Sequence, residues 1–114
     1  MSDDGVVVIR RADVPEAGAA IVDVNEELAI AVFRVRDSFY AIDNRCPHKG
    51  GPLGEGSLEE MVVTCPWHGF VVDVRSGVCP RTPWLRVRTF PVELRGDDVR
   101  IRIAASRGSE EGRK

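Results

Sequence analysis

Two short segments constrain this chain more than anything else in it. Cys46-Pro47-His48 and Cys65-Pro66-Trp67-His68 each place a cysteine and a histidine within three residues of one another, and sixteen residues lie between the segments. The chain has two histidines in total, and these segments hold both, together with two of its three cysteines. Thiolate sulfur and neutral imidazole nitrogen are ligands that suit zinc and iron–sulfur centres. A chain that places its scarcest ligand types this way is organised around the loops that carry them.

Spacing helps to separate the two metals. Zinc modules usually open with cysteines two to four residues apart and carry their histidines as a separate pair. Here each hook is mixed, Cys-x-His and then Cys-x-x-His. That suits a two-iron cluster with one thiolate-bound and one imidazole-bound iron, each hook supplying one ligand to each metal. A zinc-stapled interaction module, which would be colourless, is the alternative from a different class.

The segments resemble the two cluster-binding boxes of the Rieske [2Fe–2S] family in ligand type, order and spacing. The resemblance extends to Tyr40-Ala41-Ile42-Asp43 before the first box and Phe70-Val71-Val72-Asp73 after the second. Roughly residues 5 to 104 fit the pattern of a small, free-standing Rieske ferredoxin. The resemblance implies one [2Fe–2S] cluster held by Cys46, His48, Cys65 and His68. It also implies an all-β chain: an antiparallel sandwich or barrel-like base with a small cluster-binding subdomain inserted at about residues 44–84. A single domain would then occupy residues 1–104, with 105–114 a polar tail.

Formal charge shows why this ligand set matters. Two ferric ions, two sulfides, two thiolates and two neutral imidazoles sum to zero, so the centre becomes singly negative only on reduction. A centre with four thiolates begins two charges lower and accepts an electron less readily, which is why Rieske potentials lie higher, at roughly −150 to +300 mV. Within the family this chain departs from the respiratory and photosynthetic members. Their inter-hook disulfide would fall at Gly51 and Trp67, and their serine and tyrosine donors at Phe70 and Val72. Without these the resemblance is to the low-potential ferredoxin branch. Gly50, Gly51, Gly54 and Gly69 are expected to let backbone approach the sulfurs, and Pro80 and Pro83 fall where the family has a loop covering the cluster.

Counting excludes oxygen activation by this chain. Rieske oxygenases hold a further iron with two histidines and a carboxylate, and both histidines here are already committed. No catalytic site of its own is therefore expected. The expected role is a one-electron carrier between a flavin reductase and a terminal oxygenase. The alternative is the small subunit of an assimilatory NAD(P)H nitrite reductase, which Ala31-Val32-Phe33-Arg34 and Tyr40 to Asn44 also resemble. Docking is expected near Lys49, Trp67 and Arg81, with Trp67 and Trp84 serving either as inward lids on the cluster or as exposed contact surface.

The rest of the chain adds bounds. A net charge of −2 and the lack of a basic stripe interleaved with aromatics give no support for nucleic-acid binding. The longest apolar run, Leu28 to Phe33, has six residues, far short of the roughly 18 that span a bilayer. Met1-Ser2-Asp3-Asp4 is too acidic for a secretory signal, so the expectation is a soluble, cytoplasmic protein. An odd number of cysteines argues against a disulfide framework, and Cys79 reads as a small, partly buried thiol. Strands are expected at Val6–Ile9, Ala19–Val24, Leu28–Val35, Phe39–Asp43, Phe70–Val74, Leu85–Leu94 and Val99–Ile103, with at most one helical turn at Ser57–Glu60.

Overall fold

A computed structural model describes residues 5–47, 50–67 and 69–103. Its strands, in chain order, are β1 (Val6–Arg10), β2 (Ala19–Asp23), β3 (Ala29–Val35), β4 (Ser38–Asp43), β5 (Ser57–Glu59), β6 (Val62–Thr64), β7 (Val71–Asp73), β8 (Thr89–Phe90), β9 (Val92–Arg95) and β10 (Asp98–Arg102). They form three antiparallel sheets, ordered β1-β10-β9, β2-β3-β4-β8 and β5-β6-β7. Three-residue 3-10 turns at Arg11–Asp13 and Leu53–Glu55 are the helical elements among the described residues. No helix there is long and apolar enough to cross a membrane.

The four-stranded sheet is the middle layer, and β3 explains why. Successive side chains of a strand point to opposite faces. Ile30 and Val32 enter one buried cluster with Phe39, Ala41, Phe90, Val99 and Ile101, while Ala31 and Phe33 enter another with Ile42, Leu53, Val63 and Val72. A strand buried on both faces reads as a near-continuous apolar run, and Leu28 to Phe33 is that run. The chain leaves this sheet at Asp43 and rejoins it at Thr89. The exit and return are tied together: Asp43 N–H donates to the Arg88 carbonyl at 3.0 Å, and the Arg88 guanidinium pairs with Asp43 Oδ2 at 3.3 Å.

Two expectations are corrected. Ser57–Glu59 is a strand, not a helical turn, because it pairs with Val62–Thr64 through a two-residue turn at Glu60-Met61. Leu85–Leu94 is not one strand. Leu85 to Arg88 turns back on the preceding loop, with the Leu85 carbonyl accepting from Cys79 N–H and Val87 N–H donating to Gly77. The remainder breaks at Pro91, where the chain passes from the middle sheet to the outer one. Proline cannot donate to a ladder and sits at such interruptions, while its carbonyl still accepts from Arg102 N–H at 2.9 Å.

Candidate metal centre

Both hooks are built by the same local rule. In the first, Gly50 N–H donates to the Cys46 carbonyl at 2.8 Å and Cys46 N–H to the Gly51 carbonyl at 2.9 Å. In the second, Gly69 N–H donates to the Cys65 carbonyl at 3.0 Å and Cys65 N–H to the Phe70 carbonyl at 2.7 Å. The residues flanking each loop pair across it, Arg45 with Pro52 and Thr64 with Val71. Each hook is thus an α-turn closed four residues after its cysteine. The closing residue is left-handed, with φ of +81° at Gly50 and +73° at Gly69, which glycine adopts without strain. Proline follows both cysteines, its fixed φ suiting entry to a turn. The sequence signal for this equivalence is a repeat, Cys-Pro-x-x-Gly, that reading by ligand spacing alone passes over. Within loops of one length, His48 stands two residues after its cysteine and His68 three.

The loops carry their thiols inward. Cys46 and Cys65 are both 2% exposed and belong to one apolar cluster with Leu53, Val63, Val72 and Val74. None of the three cysteines forms a disulfide. Two buried thiols at equivalent points of facing loops, in an apolar shell that limits solvent access, fit the thiolate half of an iron–sulfur centre. His48 and His68, and Lys49 of the expected docking surface, lie outside the described residues. Among those that are described, no group of three or more potential metal ligands is assembled.

Neighbouring positions resolve other expectations. Gly51 is the glycine that abuts a sulfur: a methyl group there would sit 2.8 Å from Cys65 Sγ and 3.0 Å from the Trp67 ring. Gly54 instead leaves room for Ile21 and for the Asn44 side chain, which accepts from Gly54 N–H at 2.7 Å. Phe70 is half-buried, and Val72 is completely buried. Cys79 is fully buried rather than partly so, at 1% exposure. Burial pushes its thiol pKa up and the neighbouring Cys46 adds to the rise, while the Thr82 hydroxyl pulls the other way. That hydroxyl is itself buried without a well-formed hydrogen bond, so its opposing pull is weak. Trp84 is no lid, at 77% exposure, and Trp67 is 57% exposed. Arg81 is also exposed and lines a concavity of about 260 Å³ with Gly69, Phe70, Val71 and Thr82.

Fold and hooks together define a small β protein with two facing, equivalently closed cysteine loops. The chain belongs to the Rieske [2Fe-2S] domain family, which matches residues 4–91, and its cofactor is a Rieske-type [2Fe–2S] cluster. It is 39% identical over 94 residues to the 3-phenylpropionate/cinnamic acid dioxygenase ferredoxin subunit of Escherichia coli strain K12, covering 79% of this chain and 85% of that one. Among solved structures it is similar to a chain from the complex of reduced oxygenase and oxidised ferredoxin in carbazole 1,9a-dioxygenase. That match has a TM-score of 0.79 at 29% identity, over 88% of this chain and 94% of the other. A chain described as an NADH-dependent nitrite reductase small subunit from Mycobacterium tuberculosis superposes with a TM-score of 0.77 at 17% identity, over 91% and 96% of the two chains, a likeness of fold alone.

Proposed function

We propose that this chain is the ferredoxin component of a dioxygenase system, carrying single electrons from a flavin reductase to a terminal oxygenase in the cytoplasm. In this reading residues 44–84 form the cluster-binding subdomain. Cys46 and Cys65 hold one iron as thiolates, and His48 and His68 hold the other through neutral imidazoles. The observation that carries it is the pair of equivalently closed hooks, which bury both thiols in one apolar cluster beside exposed Trp67. When bound, the cluster would supply reversible one-electron transfer. The chain's own residues exclude water from the sulfurs, and the hooks fix where the ligands stand.

Partner docking in this reading uses residues of and beside the two hooks. Trp67 and Arg81 are exposed around the second hook, and Lys49 follows His48 on the first. Aromatic and arginine side chains are enriched in such contacts, and rim charges act mainly on association rate. Lys49→Glu should therefore change the salt dependence of electron transfer. The 39% identity to a dioxygenase ferredoxin subunit favours this reading over the nitrite reductase subunit, whose ligand set is the same.

The deciding experiment has two parts. Purified protein should be red-brown, with two irons and two sulfides per chain and, after dithionite, an EPR signal with average g below the free-electron value. Cys65→Ala and His48→Ala should abolish both colour and signal. A colourless protein holding zinc after anaerobic preparation would overturn the reading. Reduced protein should then deliver electrons to a Rieske oxygenase and not to a sirohaem nitrite reductase; the reverse preference would establish the alternative.

A further inference from the structure

Trp67 is more than half exposed, yet part of its ring is engaged. A methyl group on Gly51 would lie 3.0 Å from both Trp67 Cγ and Cδ2, and 2.8 Å from Cys65 Sγ. The indole of the second hook therefore lies close against the first hook at Gly51, and the Cys65 sulfur lies close to the same point. The backbone bonds described above close each hook upon itself, so they do not set the separation of the two tips. A flat ring reaching from one hook to the other adds a contact between them that those bonds do not supply.

We infer that Trp67 is an inter-hook clamp: its inner face holds the second hook against Gly51 of the first and shields Cys65 Sγ from solvent, leaving its outer face for a partner. The inference rests on the proposal that Cys65 is a cluster ligand. Gly51 is the receiving half of the contact, since any side chain there would displace either the ring or the sulfur. Close-packed contact of this kind contributes through many small dispersion terms and is lost when a gap opens. The apolar shell around a metal site governs solvent access and, through it, potential and stability.

The test follows visible absorption of the loaded protein in air with an iron chelator present, alongside the midpoint potential and the thermal unfolding temperature. Trp67→Ala should lose its cluster about tenfold faster, a change of about 1.4 kcal/mol in the barrier. Its potential should rise as water reaches the Cys65 sulfur and stabilises the reduced, negative centre. Trp67→Phe should restore most of the lifetime, because a flat ring still spans the hooks. Gly51→Ala, which keeps the tryptophan but wedges it away, should shorten the lifetime as well. Trp84→Ala should match the parent, since that residue is largely exposed. Unchanged lifetime and potential in Trp67→Ala would overturn the clamp, as would an equal loss in Trp84→Ala. If Trp67→Ala never assembles a cluster, Trp67→Phe and Gly51→Ala decide: rescue by the first and loss in the second support the clamp, and any other pair of results sinks it. Failure of the ligand reading would look different, with Cys65→Ala keeping its colour.

Discussion

Single side chains around the hooks set how readily the centre takes an electron. Phe70 and Val72 fall where the resemblance puts the hydroxyl donors of the respiratory and photosynthetic members, and neither carries a hydroxyl. The midpoint should therefore fall toward the low end of the Rieske range, roughly −150 mV. A midpoint above zero in a potentiometric titration near neutral pH would refute that argument. Phe70→Ser is the informative variant and should raise the potential if its hydroxyl reaches a sulfur. Val72→Tyr is not, because Val72 is completely buried and overpacking such a site costs about 1–3 kcal/mol. Cys79 belongs to the same scale. Buried to 1%, it should resist alkylation in the native loaded protein and react only after unfolding; rapid native labelling, read by mass spectrometry, would contradict its burial.

At the scale of elements, the hairpins differ in how well their turns suit their residues. The turns at Arg36-Asp37, Glu60-Met61 and Gly96-Asp97 each join two paired strands through two residues. In each the first turn residue is left-handed, with φ near +60°, a position where type II′ turns favour glycine. Gly96 fits it; Arg36 and Glu60 do not. A left-handed residue other than glycine costs about 1–2 kcal/mol, and glycine returns about 0.5–1 kcal/mol of that as chain entropy. Arg36→Gly and Glu60→Gly should each stabilise the protein by up to about 1 kcal/mol in chemical denaturation, with the spectrum unchanged. The same mismatch explains a missed element. Gly96-Asp97 announces its hairpin, whereas Glu60-Met61 has no turn residue, so the pair β5–β6 was not legible.

Over the whole molecule, one sheet serves two cores, and only one of them holds the cysteines. Phe33 packs in the cluster that contains Cys46 and Cys65, and Ile101 packs in the cluster on the other side of the middle sheet. Truncating either should cost several kcal/mol, about 3–5 for Phe→Ala and 2–5 for Ile→Ala. Their effects on the metal centre should differ. Phe33→Ala should speed cluster loss as well as lower the unfolding temperature, while Ile101→Ala should lower the temperature and leave cluster lifetime below the transition unchanged. Equal effects on lifetime would mean that the two cores act as one cooperative unit. The Asp43–Arg88 pair joins the two ends of the segment between β4 and β8, so its removal should loosen that segment before the rest.

What the residues alone determined was the type of cofactor and most of the strands. Scarce cysteines and histidines at short spacing are informative because metal ligation demands particular donor atoms, and alternating or continuous apolar runs are informative because burial on one or two faces of a sheet demands them. The hairpin of β2 and β3, the terminal pairing strand β10 and the cysteine pair are all of this kind. The tertiary structure alone decided which surfaces meet. Leu85 to Leu94 alternates like one strand, but Pro91 and competing bonds to Cys79 and Gly77 divide it among separate partners. The resemblance marks Gly51 as the place of an inter-hook cysteine in other members, but only the approach of the opposite hook places Cys65 Sγ and Trp67 against it and Ile21 against Gly54. Such contacts join residues distant in the chain, and they depend on how loops are oriented after the sheets have packed.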